Sequence, residues 1–324
     1  MDHPLPSALD RRSPVGAHVK VGPGLAKGAL AAARAAGAGA LQVFIGNPRG
    51  WATTSGDPAE DRAFVDGCGE SEMIAFVHAP YLVNFGSPTL ETVRRSAEAT
   101  RHVLRRGAAI GAAGVVVHTG SVPGGGSRTG GLRQVREHLL PVLDEIDTLD
   151  SVGPPPRLLL EPTAGGGVAL AARVEQLAEY VAALDSHPSV GICLDTCHAF
   201  AAGHDVSTPG GMTALLDSLV EVVGEGRLGL VHANDSQDPC GSTRDRHARV
   251  GRGLIGAEPF AELFRSPVTA GVPMVIETGP GPAEQAEDIA ELLRLRDAHS
   301  PTSSPSTASS PSTVQSSFAH NRSR

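Results

Sequence analysis

Eight short apolar runs, separated by stretches with helical periodicity, limit the folds open to this chain more than any other feature of its sequence. Runs of this length that are largely apolar are typical of parallel strands covered by helices. They are GAHV (16–19), LQVFI (41–45), MIAFVH (73–78), GVVVH (114–118), RLLLE (157–161), GICLD (191–195), LGLVH (228–232) and MVIE (274–277). This order predicts an α/β fold, and the number eight favours a single-domain (β/α)8 TIM barrel. A doubly wound sheet has the same local pattern and is the alternative.

The stretches between the runs carry apolar residues at every third or fourth position, as amphipathic helices do. The clearest are residues 24–39, 87–107, 130–146 and 169–185. The barrel domain is expected to cover residues 15–297, after a flexible N-terminal extension (1–14). A Ser/Thr/Pro-rich tail (298–324) follows, and it is expected to be disordered because it holds almost nothing that could be buried.

The composition indicates where the protein resides and which partners it can bind. The chain has 324 residues, a formal net charge of −8 and four cysteines. It lacks both a signal peptide pattern and the run of roughly 18 apolar residues that a membrane helix needs. We therefore expect a cytoplasmic monomer with reduced cysteines and no membrane partner. The acidic charge argues against broad binding to nucleic acid, because phosphate contacts need Lys and Arg, unless bound metal changes the balance.

Six of the runs end on a residue that can bind metal. The residues, in chain order, are His78, His118, Glu161, Asp195, His232 and Glu277. In a TIM barrel the carboxyl ends of all strands face one bowl, where barrel enzymes keep their active sites. Any one of these residues could be an ordinary strand-end polar group, but carboxylates and imidazoles that converge in one cavity need a cation. The sequence therefore predicts a metal site at this rim.

Three further candidates lie close to these strand ends. His198 follows Asp195 by three residues in DTCH, so both side chains face one side if a helix begins there. Asp245 and His247 alternate in DRH and share a face if that loop is extended. Nine groups without a thiolate suit zinc or manganese, and they suit three divalent ions if one carboxylate bridges two of them. Three such ions would turn the acidic bowl into an anion site, for which phosphate is the natural substrate group.

The motifs that hold these residues resemble those of one family, endonuclease IV, the zinc-dependent apurinic/apyrimidinic endonucleases of DNA base-excision repair. They are HAPYLVN (78–84), HTGS (118–121), DTCHAFAAGHD (195–205), HANDS (232–236), GSTRDRHARVGRGLIG (241–256) and VIET (275–278). The resemblance implies three zinc ions per chain, with Mn²⁺ as an alternative at one position. The implied ligands are His78, His118 and Glu161 for the first, Glu161, Asp195, His232 and Glu277 for the second, and His198, Asp245 and His247 for the third.

The resemblance also implies the reaction, which is hydrolysis of the phosphodiester on the 5′ side of an abasic site in double-stranded DNA. The products are a 3′-hydroxyl and a 5′-deoxyribose phosphate, and removal of 3′-blocking groups is expected as well. Glu161 is the candidate catalytic residue that orients the attacking water, with a purely structural ligand role as the alternative. Arg49, Tyr81 and Leu82 match family residues that enter the DNA groove. Arg246 is expected to contact a phosphate, with a solvated charge as the alternative.

Two positions depart from the family pattern. Pro162 stands where Asn usually follows the bridging glutamate, which removes an amide and a backbone donor beside Glu161. Gly50 stands where Gln commonly precedes the tryptophan of the NPRGW segment (47–51), so we expect one groove contact to be missing. His18 ends the first run at the rim, but the resemblance gives it no ligand role.

Two other functions remain open from the sequence. A divalent-metal-dependent sugar isomerase or epimerase on the same barrel would use the six strand-end ligands, but it would have no use for His198, Asp245 and His247. A catalytically silent protein that binds damaged DNA, disabled at Pro162, is not favoured because all nine ligands are intact.

Overall fold

The computed structural model describes residues 12–279 and 281–298, and its centre is a closed barrel of eight parallel strands. The strands of the chain are β1 (Val15–His18), β2 (Ala40–Val43), β3 (Ile74–His78), β4 (Gly114–His118), β5 (Arg157–Glu161), β6 (Val190–Asp195), β7 (Leu228–His232), β8 (Asp235–Ser236), β9 (His247–Ala248) and β10 (Met274–Ile276). The barrel closes because β1 pairs with both β2 and β10. The predicted TIM barrel is confirmed, and the doubly wound sheet is wrong.

Helices surround the barrel as the sequence periodicity predicts. They are α1 (Ala31–Ala35), which continues from a π-helical stretch (Leu25–Leu30), α2 (Pro58–Glu70), α3 (Leu90–Ala109), α4 (Arg128–Leu143), α5 (Leu177–Ala183), α6 (Thr196–Ala201), α7 (Gly211–Val223), α8 (Glu258–Arg265) and α9 (Pro282–Asp297). The helix predicted over 169–185 begins only with a 3-10 turn at Val174–Gln176. The preceding residues instead bond to the loop after β4, where Leu170 N donates to Gly120 O at 2.9 Å.

The interior of the barrel is filled with apolar side chains. Seven residues from seven strands form this layer: Ala40, Phe76, Val116, Leu159, Cys193, Leu230 and Val275. Leu159 packs closely against two glycines of neighbouring strands, since a Cβ added at Gly114 or Gly191 would lie within 2.8 Å of its side chain. Such a packed interior is a closed floor, not a pore, and it leaves the carboxyl-terminal rim as the face that presents polar groups.

A small antiparallel ribbon follows β7 and lies at this rim. It pairs β8 with β9, with Ser236 opposite His247. The carboxylate of Asp235 accepts hydrogen bonds from the backbone N–H of Ser236, Gly253, Ile255 and Gly256. One buried side chain therefore fixes both the ribbon and the GRGLIG loop (251–256) beside it.

The predicted chain ends fall mostly outside the described residues. Of the extension at 1–14 only residues 12–14 are described, and of the tail at 298–324 only residue 298. Within residues 12–279 and 281–298, no helix combines the length and the apolar character needed to cross a bilayer.

Candidate metal centre

Nine side chains meet at the carboxyl-terminal rim, and they are the nine that the sequence singled out. They form three groups, in each of which the ligand atoms lie within 4.8 Å of one another, and the first two groups share Glu161. The groups are His78, His118 and Glu161; Glu161, Asp195, His232 and Glu277; and His198, Asp245 and His247. Cys197 also lies within this distance of Asp195 and His247. Strands far apart in sequence thus deliver their terminal residues to one place, as parallel closure of the barrel requires.

Glu161 lies at the centre of these groups and is fully buried. Its Oε2 atom lies 3.2 Å from Nε2 of His78 and 3.2 Å from Nε2 of His118. Its Oε1 atom lies 3.1 Å from Nδ1 of His232 and 3.3 Å from Nδ1 of His198. A single carboxylate therefore contacts an imidazole of every group.

The turn from β6 into α6 brings Asp195 and His198 together. Asp195 is the N-cap of α6, and its Oδ1 accepts a hydrogen bond from the backbone N–H of His198 at 2.8 Å. This is the helix start that the DTCH spacing predicts, and it satisfies one of the free N–H groups of the first turn. The connection from β8 to β9 adds Asp245, whose Oδ2 lies 3.2 Å from His198 Nε2. His247 Nε2 lies 3.0 Å from the other oxygen of Asp245.

Pro162 does not disturb this arrangement. Its carbonyl oxygen lies 3.1 Å from Nδ1 of His198 and accepts a hydrogen bond from that ring. Proline lacks only the backbone N–H, so the contact that orients His198 is one that any residue at this position could supply. The proline that stands in place of the family's usual Asn therefore still supplies the backbone carbonyl that accepts from His198.

The charges within the centre are strongly coupled. Burial disfavours the imidazolium of His198, but the carboxylates of Asp195, Asp245 and Glu161 outweigh burial and raise its pKa to about 10. Burial favours the neutral form of Glu161, but His232 and His118 outweigh it and hold the pKa of this carboxyl well below its usual value. Neighbouring charges therefore favour the charged forms of His198 and Glu161 in the protein alone.

The residues present fit a divalent metal. Among the described residues, the Nε2 atoms of His198 and His247 are buried without a hydrogen-bond partner, although both lie near the Asp245 carboxylate. Buried ring nitrogens normally find a partner, so two unpaired ones facing a carboxylate indicate that a further group belongs between them. A set of imidazoles and carboxylates suits zinc or manganese.

Two residues that hold the centre were missed from the sequence. Gln42 on β2 is fully buried, and its Nε2 donates to Glu277 Oε1 at 2.8 Å. Asn234 donates to Asp195 Oδ2 at 2.8 Å, and its Oδ1 accepts from the backbone N–H of Glu277 at 2.8 Å. Gln42 had a signal in the sequence, because it is the one polar residue of the run LQVFI. His18, expected to have no ligand role, lies 3.2 Å from Glu277 Oε1.

The residues predicted to contact DNA lie around the same rim, and one of them, Arg246, is paired with a carboxylate of the protein. Tyr81 is 49% exposed, and its ring stacks on His118 with centroids 5.8 Å apart. Its backbone N–H donates to Pro48 O at 2.9 Å, which ties its loop to the turn that carries the exposed Arg49. Leu82 beside it is half-buried. The Arg246 guanidinium instead forks onto the buried Asp238, at 2.6 and 2.5 Å.

Several cavities border the centre, and two of them flank Tyr81. One of about 330 Å³ lies directly over the centre and is lined by His78, Tyr81, His118, His198, Asp245, His247 and Glu277. A second, of about 750 Å³, extends from His247 and Glu277 past Tyr81 to Lys20 and Arg49. Cavities of this size accommodate groups as large as a nucleotide.

Comparisons with known proteins agree with this architecture. The family model of xylose isomerase-like TIM barrels matches residues 30–296. "Probable endonuclease 4" of Streptomyces coelicolor is 55% identical over 286 residues, which cover 88% of this chain and 96% of the relative. The crystal structure of endonuclease IV from Thermus thermophilus is 35% identical, with a TM-score of 0.76 and coverage of 88% of this chain and 99% of that chain.

The sugar-processing barrels are more distant. A D-tagatose 3-epimerase-like protein is 18% identical with a TM-score of 0.65, covering 87% of this chain and 98% of its own, and this likeness extends to the fold alone. The isomerase or epimerase alternative is therefore less supported than the nuclease. By the identity and coverage of its relatives, the chain belongs to the endonuclease IV family.

Proposed function

We propose that this chain is a metal-dependent DNA-repair hydrolase that cleaves the phosphodiester 5′ to an abasic site in duplex DNA, leaving a 3′-hydroxyl, and that also removes 3′-blocking groups. The observation that carries the proposal is the third group, His198, Asp245 and His247, joined to the other two through Glu161. A sugar isomerase or epimerase needs one or two divalent ions and has no use for this group. The monomeric state and the cytoplasmic location stay predictions.

We propose that the three groups hold three Zn²⁺ ions, with Mn²⁺ as an alternative at one position. Glu161 would be shared between the first group and the second. Bound ions would supply Lewis-acid polarisation of a phosphate and a water nucleophile at neutral pH. They would also neutralise the carboxylates of the bowl, so that a phosphodiester could enter it.

The burial of the proposed ligands indicates the side from which a phosphate would approach the site. Glu161 contacts imidazoles through both oxygens and is fully buried, so its position is fixed, and we assign it the orientation of the attacking water. Asp245 is the most exposed of the nine proposed ligands, with 52% of its side chain accessible. The phosphate would therefore meet the third group first, while Glu161 remains beneath it.

Recognition of an abasic site needs side chains that replace a missing base. Extrusion of a nucleotide costs least where no base pair exists, and the 330 Å³ cavity offers a place to receive the sugar. We propose that Tyr81, which lines both cavities, Arg49, which lines the larger one, and Leu82 beside Tyr81 enter the duplex at the lesion. Arg246 would contact a phosphate through the 54% of its side chain that stays exposed beside Asp238.

The first test is strand nicking of a duplex that contains one tetrahydrofuran abasic analogue. We expect cleavage on its 5′ side to yield a fragment with a 3′-hydroxyl that a DNA polymerase can extend, and no cleavage of the same duplex with an ordinary nucleotide at that position. The measurement is denaturing gel electrophoresis of end-labelled strands. Isomerisation or epimerisation of small sugars without nicking would overturn the proposal, and tight binding of abasic DNA without turnover would support a silent binder instead.

A second prediction concerns Arg49. Arg49→Ala should weaken binding to the abasic duplex by roughly tenfold, the equivalent of one hydrogen bond to a charged group of about 1.5 kcal/mol. The measurement is fluorescence anisotropy with labelled duplex at fixed salt. Arg133→Ala is the matched control, because Arg133 is on α4 with 74% of its side chain exposed, and the variant loses the same charge away from the rim. Equal losses of affinity in the two variants would show that Arg49 contributes to binding only through its positive charge.

A further inference from the structure

Gln42 contacts two of the proposed metal ligands from a buried position on β2. Its Oε1 lies 2.9 Å from Nε2 of His232, and its Nε2 lies 2.8 Å from Oε1 of Glu277. The same Nε2 lies 2.8 Å from Nδ1 of His18. Gln42 is fully buried, so each of these contacts replaces a hydrogen bond to water.

The chemistry of Glu277 sets the direction of the hydrogen bonds around Gln42. A carboxylate only accepts, so the end of Gln42 that faces Glu277 must be its NH2 group. The carbonyl oxygen of Gln42 then faces His232, and it also only accepts. Nε2 of His232 must therefore carry a proton. In a neutral imidazole this leaves Nδ1 as the nitrogen with the free lone pair.

That lone pair faces the second metal position. Nδ1 of His232 lies 3.1 Å from Oε1 of Glu161 and 3.3 Å from Oε2 of Glu277. The nearest oxygen of Asp195 lies 3.8 Å away. A lone pair directed at carboxylate oxygens is repelled by them unless a proton or a metal cation lies between. With the other ring proton held on Nε2 by Gln42, Nδ1 is the nitrogen that metal can take in place of a proton.

Two other imidazoles of the centre are oriented in the opposite sense. Nδ1 of His78 donates to the carbonyl of Ala79 at 2.7 Å, and Nδ1 of His198 donates to the carbonyl of Pro162 at 3.1 Å. Both rings therefore present Nε2 to the centre. His232 instead presents Nδ1 to the centre. Its Nε2 donates to the side chain of Gln42, whereas the other two rings donate to backbone carbonyls.

We propose that Gln42 is a positioning residue that fixes His232 as the Nε2-protonated tautomer and holds Oε1 of Glu277, so that Nδ1 of His232 and Oε2 of Glu277 face the metal. The inference rests on the metal assignment proposed above. Partners of this kind set both the ring orientation and the basicity of a metal ligand, and their loss typically weakens metal affinity or activity by about 10- to 100-fold.

The first experiment reads the tautomer in the unaltered protein. Zinc-loaded protein labelled with ¹⁵N-histidine is examined by long-range ¹H–¹⁵N correlation, and the His232 ring is assigned by the signals that disappear in a His232→Gln variant. We expect His232 to carry its proton on Nε2 and to bind zinc through Nδ1, with His78 and His198 in the opposite arrangement. Zinc on Nε2 of His232 would overturn the inference.

The second experiment removes the contact. Gln42→Met keeps the length of the side chain but can neither accept from His232 nor donate to Glu277. We expect one zinc per chain to be lost to a competing chelator at about 10- to 100-fold lower chelator concentration than in the unaltered protein, as measured by elemental analysis. Gln134→Met is the matched control, because the Gln134 amide donates to the carbonyls of Phe85 and Ser87 and touches no proposed ligand.

The outcomes separate this inference from the proposed function. If the unaltered protein retains no zinc, the metal assignment itself fails. If it retains zinc and nicks abasic DNA, but Gln42→Met holds the metal as tightly as Gln134→Met, only the role of Gln42 fails. If Gln42→Met does not fold, as judged by circular dichroism, the tautomer of His232 in the unaltered protein decides alone.

Discussion

Glu161→Gln abolishes nicking of abasic DNA, with an expected loss of about 10³-fold or more, while largely sparing affinity for the duplex. The amide preserves the shape of the side chain but removes the negative charge that three groups of imidazoles share. Both carboxylate oxygens of Glu161 lie within 3.3 Å of ring nitrogens, so no other residue of the centre can substitute for it. The measurement is single-turnover nicking together with anisotropy on the same duplex.

The control for this variant is a buried carboxylate outside the centre. Asp61 pairs with Arg106 at 2.8 Å between α2 and α3, with 14% of its side chain exposed. Asp61→Asn should reduce stability but leave the nicking rate per folded molecule unchanged. Elemental analysis of Glu161→Gln measures its metal content. Inactive protein that retains its metal has lost the orientation of the attacking water, whereas inactive protein without metal has lost a ligand. Full activity of Glu161→Gln would remove this residue from the mechanism.

Removal of metal abolishes nicking and lowers the stability of the fold. Each tightly bound ion is expected to stabilise the folded state by about 4 kcal/mol when free metal stands roughly 1,000-fold above its Kd. Dialysis against a chelator should therefore lower the melting temperature measured by calorimetry, and addition of Zn²⁺ should restore both stability and nicking. Nicking that persists in protein shown by elemental analysis to be metal-free would contradict the proposed function.

The pH dependence of stability should also change direction when metal is removed. In the metal-free protein, burial disfavours the charged form of His198, but Asp195 and Asp245 raise its pKa to about 10. An unfolded histidine titrates near pH 6.5, so the stabilisation from His198 is full below that pH and declines as the pH rises toward 10.

The metal-loaded protein should behave differently, because metal-bound imidazoles carry no added proton. Its stability should rise with pH up to about 6.5, as the unfolded histidines lose their protons, and then level off. Melting temperatures at pH 6 and pH 9, with and without chelator, test this difference. Parallel slopes for the two forms would show that the imidazoles of the centre are not metal ligands.

Much of the centre could be predicted because its residues occupy special positions in the sequence. Each of the six strand-end groups closes an apolar run, and parallel strands in a barrel place all such ends at one rim. His198 is close enough to Asp195 for a single helical turn to bring them together. The alternation of Asp245 and His247 was equally local, and in the structure both side chains belong to the third group, with His247 at the start of β9.

Other features could not be predicted because they depend on contacts that only the folded chain makes. Arg246 was predicted to contact a phosphate because it lies beside the metal ligands in the sequence. In the fold, the carboxylate of Asp238 lies 2.5 Å from its guanidinium. The helix predicted over 169–185 is shortened because its first residues bond to the loop after β4, where the backbone of Leu170 meets Gly120. For the helix a tertiary partner outweighs the local pattern, whereas the phosphate contact of Arg246 stays a prediction, since part of its side chain remains exposed beside Asp238.

The sequence by itself favoured the barrel and singled out the nine groups at the rim, six from where an apolar run stops and three (His198, Asp245 and His247) from local spacing. Only the tertiary structure decided how the groups are arranged: that Glu161 lies at their centre, and that His232 is turned so that Nδ1 faces the carboxylates. The physical reason is that hydrogen-bond direction is set by partners in space. Gln42 orients His232 and Glu277 across 190 and 235 residues of chain, a separation over which no local pattern carries information.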